Sequence, residues 1–154
     1  MVYLIMNKHS LLIVAGMFVL ASCGGAMPKL GIDSGKLKPC PDTPNCVSSL
    51  AADKQHFIEP ILVSADPDET REIILKTLDE FGRVKVTETQ ANYIRAEFTS
   101  MIFRFVDDVE FYFPASESGV VRIDIRSASR VGSSDLGVNR KRMEAIRDKI
   151  ENFK

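Results

Sequence analysis

The chain reads as an α+β domain: an antiparallel sheet of about five strands, in the order β-α-β-β-β-β-α, with two helices packed on one face. Three observations predict this. Four segments between residues 83 and 127 alternate apolar and polar side chains with a period of two. Two further segments carry apolar residues at helical spacing, with recognisable start and stop signals. The connections between the alternating segments are short enough for an antiparallel meander.

Taken in order, "HFIEPILVSA" (56–65) predicts a strand that Pro60 confines to a sheet edge or a bulge. "DPDETREIILKTLDEFG" (66–82) predicts a helix. Asp66 is its N-cap, Pro67 occupies N1 and Glu69 stands at N3, while Ile74, Leu78 and Phe81 line one face and Gly82 ends it. The strands follow as "RVKVTET", "YIRAEFTS", "FRFVDDVEFYFP" and "VVRIDIRS", with Ile94, Ala96 and Phe98, then Phe103, Phe105, Val109, Phe111 and Phe113, then Val121, Ile123 and Ile125 on the apolar side. "DLGVNRKRMEAIRDKIENFK" predicts the last helix, with Met143, Ile146, Ile150 and Phe153 on one stripe and Asp135 placed to cap it.

With 154 residues the chain has room for one domain and a modest core. A net charge of -1 argues against nucleic acid as a partner, because phosphate binding needs a surplus of Lys and Arg.

The N-terminal region has a different character. "LLIVAGMFVLAS" (11–22) carries no charge and follows Lys8 and His9, the pattern of an export signal and too short for a comfortable membrane-spanning helix. A start at Met6 instead of Met1 gives the cleaner signal. Leu20, Ala21 and Ser22 precede Cys23 as in a bacterial lipobox, where small residues admit the peptidase and the thiol takes a diacylglyceryl group. Several acyl chains make such an anchor stable, where one is marginal. Gly24 follows, not an aspartate, which in enteric-type bacteria is consistent with sorting to the outer membrane. The plainer alternative is a signal peptide cut near Ala21 or Ala26 with Cys23 incidental. The expected organisation is a lipoprotein signal peptide over 1–22, a flexible tether over 23–39 holding the domain roughly 20 Å off the bilayer, and a single domain over 40–154.

An exported chain with Cys23 acylated leaves Cys40 and Cys46, in "CPDTPNCVSS", to form a disulfide. The short loop it closes limits its contribution to about 2 kcal/mol. The spacing is wrong for a Cys-x-x-Cys redox pair. His56 alone lies close enough to help a zinc site, so neither a metal nor a cofactor is expected.

Two places could hold chemistry. Continuous alternation puts Asp107 on the same face as the phenylalanines, which requires either a bulge at Asp107-Asp108 or a cationic partner, for which Arg126 and Arg130 are the candidates. The segment "IRSASRVGSSDLGVNRKR" gathers Arg126, Ser129, Arg130, Asn139 and Arg140 into a candidate anion or ligand site beside a helix start, with Asp107, Asp108 and Asp135 as acidic partners. The same residues could equally latch the loop by hydrogen bonds. Hydrolase motifs are absent, and His56 is the one candidate base in the exported chain.

"CPDTPNCVSS", "YIRAEFTSMIFRFVDDVEFYF" and "IRSASRVGSSDLGVNRKRMEAI" together resemble the family catalogued as domain of unknown function 1499, from about Cys40 to the end. The resemblance implies that Cys40, Cys46, Asp107, Asp108, Arg126, Ser129, Arg130, Gly132, Asp135, Gly137, Asn139 and Arg140 belong to one shared pattern. It implies no activity. The leading expectation is a non-enzymatic envelope lipoprotein, lipid-anchored to the outer membrane and facing the periplasm. Its binding surface would be the arginine-serine loop or the polar sheet face (Arg95, Glu97, Asp108, Glu110, Arg122, Asp124), and its partner a lipid head group, another anionic ligand or an envelope protein. The opposing expectations are an enzyme centred on Asp107, Arg126 and Arg130, and a purely structural domain.

Overall fold

A computed structural model describes residues 26–115 and 119–153, so Cys23 and the export signal lie outside the described residues. The first elements are β1 (Ile32–Asp33) and β2 (Lys36–Leu37), an antiparallel hairpin. Ser34 and Gly35 both take positive φ between them, at 51° and 76°, as a two-residue hairpin turn of the primed type requires. Six strands form the main sheet: β3 (Cys46–Ser48), β4 (Ile61–Val63), β5 (Val84–Gln90), β6 (Tyr93–Thr99), β7 (Val106–Tyr112) and β8 (Val121–Ser129). The order is β3-β8-β7-β6-β5, with β4 also paired to β8. All these pairings are antiparallel.

The fold is α+β as the alternation predicts, with one strand more than expected in the main sheet. The addition is β3, which leaves the disulfide loop and pairs with Arg126–Ala128 of β8. The predicted strand over 56–65 shrinks to Ile61–Val63, just after Pro60. Helices α1 (Pro67–Asp79) and α2 (Val138–Glu151) both pack on the apolar sheet face. Ile74, Leu78, Met143, Ile146 and Ile150 meet Ile94, Phe98, Val109, Phe111, Ile123 and Ile125 in one core. Asp66 caps α1 as predicted, its carboxylate accepting the N–H of Glu69 at 2.8 Å. No described helix is long and apolar enough to cross a membrane.

The strand carrying the phenylalanines needs correcting. It begins at Val106, and Phe103 and Phe105 stand exposed in the preceding turn instead of in the core. No bulge interrupts Asp107-Asp108: the register runs unbroken from Val106 to Tyr112 against β6. Asp107 therefore does face the helices, and its cation is neither Arg126 nor Arg130. It is Arg142 of α2.

The residues assigned to a flexible tether also prove partly structured. The β1–β2 hairpin lies over the polar side of the sheet, where Leu37 is buried with Tyr93 and Tyr112. The Gly31 N–H donates to Glu110 Oε1 at 3.0 Å. Structure thus begins ahead of residue 40. The sheet's second face is covered because its side chains would otherwise leave two aromatic rings in water.

Candidate functional site

The period of two sends Arg126 and Arg130 to one side of the sheet, and Ser127 and Ser129 to the other. The predicted anion site is therefore split between two clusters that do not meet.

The first cluster lies on the polar face, under the N-terminal hairpin. Cross-strand pairing sets Glu97 opposite Asp108, Arg95 opposite Glu110, and Glu110 opposite Arg126. Asp108, 1% exposed, accepts from Arg95 Nη2 at 2.6 Å and from Arg130 Nε at 2.7 Å. Arg130 reaches on to Glu97 at 2.5 Å. Burial would raise the Asp108 pKa, but the hydrogen bonds from Arg130 and Arg95 outweigh it and hold the carboxyl below its ordinary value. Reciprocally, the hydrogen bond to Asp108 raises the pKa of Arg130, so the guanidinium stays charged throughout. Glu110, 0% exposed, is shared among Arg126 at 3.1 Å, the Tyr93 hydroxyl at 2.8 Å and the Gly31 N–H. Burial, followed by the charge of Glu110, pushes the Tyr93 phenol well above its usual pKa and keeps it a donor. Arg126 Nε is buried without a hydrogen-bond partner among the described residues. The polar face is thus not the open surface that the alternation suggests.

The second cluster joins the disulfide loop, the end of β8 and the start of α2, with Asn139 at its centre. This side chain is 0% exposed. Its amide donates to the Asn45 carbonyl and to Ser129 Oγ, both at 3.0 Å, while its oxygen accepts from Ser127 Oγ at 2.6 Å and Arg142 Nη1 at 2.5 Å. Asn45 in turn donates to the Gly132 carbonyl at 2.7 Å. Asp135 accepts the N–H groups of Gly137 and Asn139 at 3.0 and 2.7 Å, but from two residues ahead of the helix: the N-cap is Gly137, not Asp135. Gly132 and Gly137 adopt φ of 82° and 78°, which the turn into α2 demands. The Cys40–Cys46 disulfide is formed, with Cα atoms 5.7 Å apart, and closes the loop that presents Asn45. Arg140 stands apart, donating to the Gln55 carbonyl at 2.9 Å. These hydrogen bonds tie the arginine-serine loop to the disulfide loop and to the first turn of α2.

His56 borders a cavity of about 310 Å³ beside the disulfide, lined also by Pro39, Asp42, Leu50 and Asp53. Its Nδ1 lies 2.9 Å from Asp53 Oδ1 and its Nε2 3.2 Å from the Thr43 carbonyl. With an acceptor on each side, the protonated ring can donate from both nitrogens, and the hydrogen bond to Asp53 raises the imidazole pKa. Among the described residues no group of three or more His, Cys, Asp or Glu is placed to hold a metal. The raised pKa has a sign: the stabilisation is fully present below the unfolded value near 6.5 and is lost as pH rises through the folded value. We expect the His56 Cε1–H resonance to titrate above 6.5, and the stability gap between wild type and His56→Ala to narrow from pH 6 to pH 9. A midpoint at or below 6.5 would contradict the pairing.

A second cavity, of about 560 Å³, opens at the other end of the sheet between Ala65, Pro67, Phe113, Pro114 and Val121. Its walls are mostly apolar and hold none of the predicted site residues. The ionic clusters show no signal in the sequence beyond the alternating charges of "IRAE" and "DDVE". Arg142 was the partner that spacing could not supply, because it arrives from a helix 35 residues beyond Asp107.

Comparison with known proteins agrees with the resemblance. No curated protein matches the chain. Among solved structures, the crystal structure of TTHA0849 from Thermus thermophilus matches at 9% identity over 69% of this chain and 97% of that one, with a TM-score of 0.35, and nothing is carried over from it. A family model described as a protein of unknown function (DUF1499) matches residues 36–150. That span takes in the disulfide loop, both clusters and nearly all of α2, and on it the chain belongs to the DUF1499 family.

Proposed function

We propose that the chain is a bacterial envelope lipoprotein, anchored to the outer membrane through Cys23, whose periplasm-facing domain works by contact and not by turnover. One observation carries the non-enzymatic part: the charged side chains that an active site would need are already spent on one another. Arg95, Arg126, Arg130 and Arg142 each contact a carboxylate of the same chain. The trio of the enzyme reading, Asp107 with Arg126 and Arg130, is divided between opposite sheet faces. A buried anion at the arginine-serine loop would have to displace these pairs and leave their carboxylates buried without a counter-charge. Surface contact with a lipid head group or an envelope protein demands no such displacement.

The anchor rests on "LASC" closing an apolar run. Expressed in a bacterium fed labelled palmitate, the wild type should incorporate label and Cys23→Ser should not; equal labelling of the two would sink the lipoprotein reading. Inorganic phosphate and glycerol phosphate, added at millimolar concentration, should leave the melting temperature unchanged. A dose-dependent rise would instead restore the anion site.

A further inference from the structure

The turn between β6 and β7, Met101 to Phe105, has no work inside the fold. Met101, Ile102, Phe103 and Phe105 are all exposed, Ile102 to 75%, in a protein whose core is otherwise filled by its two helices. The turn is built, not frayed. Ser100 closes its neck twice: its N–H donates to the Phe105 carbonyl at 2.8 Å, and its Oγ accepts the Phe105 N–H at 2.9 Å. The rings of Phe103 and Phe105 stack with centroids 5.5 Å apart. Arg104 holds a positive φ of 57° at the crest. A rigid, exposed apolar projection of this kind marks a contact surface.

Its occupant follows from charge. No acidic residue stands between Thr99 and Val106, and exposed Arg104 and Arg83 flank the apolar side chains, with Arg83 Nε donating to the Thr99 carbonyl at 3.3 Å. Apolar side chains beside cations suit the interface of a bilayer with anionic head groups. The loop after β8 leaves the sheet at this same end, since the Arg130 N–H bonds the Val106 carbonyl, and it exposes Leu136 to 88%.

We propose that Met101–Phe105 is a membrane-insertion tip, a second contact that seats the domain on an anionic phospholipid surface. The inference rests on the anchored reading above. To test it, the full acylated chain is reconstituted into vesicles of phosphatidylcholine and phosphatidylglycerol, with an environment-sensitive fluorophore on Ile102→Cys or, at the opposite end, on Ala91→Cys. The expected result is a blue-shifted Ile102 probe quenched by lipids brominated in their acyl chains, with an unquenched Ala91 probe. An unquenched, water-like Ile102 probe on a chain whose mass shows the acyl groups overturns the tip and leaves the anchor standing. A blue shift without bromolipid quenching points to a second copy of the chain and also overturns it. Absence of acyl mass refutes the anchor alone, and the full chain carrying Cys23→Ser then tests the tip: it should float with anionic vesicles, about tenfold less when Ile102 and Phe103 are both replaced by Ser. Equal flotation of the two overturns the proposal. Both residues are exposed, so the double variant should keep the wild-type melting temperature.

Discussion

Asp108→Ala should lower the unfolding free energy by about 3–5 kcal/mol, a large share of what a domain of this size possesses. The reason is what it leaves behind. Arg95 and Arg130 would remain buried with their principal counter-charge gone, and only Glu97 would still meet Arg130. Urea unfolding followed by circular dichroism measures the loss; a cost below about 1 kcal/mol would mean that the pairs are no better than surface bridges. The pH dependence has a definite sign. The Asp108 pKa is held below its unfolded value, so its contribution is present above pH 4 or so and is lost as pH falls through the folded value. The gap between wild type and Asp108→Ala should therefore be full at pH 7 and shrink in acid.

Asn139→Ala should cost roughly 3 kcal/mol, the largest effect expected of an uncharged residue here. Its amide satisfies the Asn45 carbonyl and Ser129, and its oxygen satisfies Ser127 and Arg142, at a position closed to water. Asn139→Asp should be no better, because it removes the two donated hydrogen bonds and sets a carboxylate against the Asn45 carbonyl. If either variant unfolds within about 0.5 kcal/mol of wild type, the loop is not a latch, and its serines and arginines become free to serve a ligand. The same experiment therefore decides between the two readings of that loop.

These two residues also show how far the chain could be read without coordinates. Asp108 and Asn139 both fall in motifs that stand out in the sequence, and both are central to the clusters found. Their partners were another matter. Alternation tells which face a strand residue takes, so the placing of Asp107 among apolar side chains was legible. The identity of its cation was not, because the helix bearing Arg142 docks in three dimensions, across Phe98, whose ring lies 4.9 Å from the guanidinium carbon. The exposed turn was misread for a related reason. Phe103 and Phe105 keep the strand's odd spacing past the point where Ser100 and Phe105 close the hairpin, and period alone cannot say where a strand stops.

By itself, the sequence determined the α+β class, the two amphipathic helices, the Asp66 cap and the Cys40–Cys46 link, since each depends on residues close together in the chain or on a local period. Tertiary structure alone decided that a segment without periodicity folds back as a hairpin over the polar sheet face. It decided too that the candidate site divides into a buried ion-pair network and a separate hydrogen-bonded cluster around Asn139. Those outcomes depend on which faces meet after folding. A guanidinium is drawn to whichever carboxylate burial brings within reach, and that choice is made by packing over long sequence separations, where no spacing rule operates.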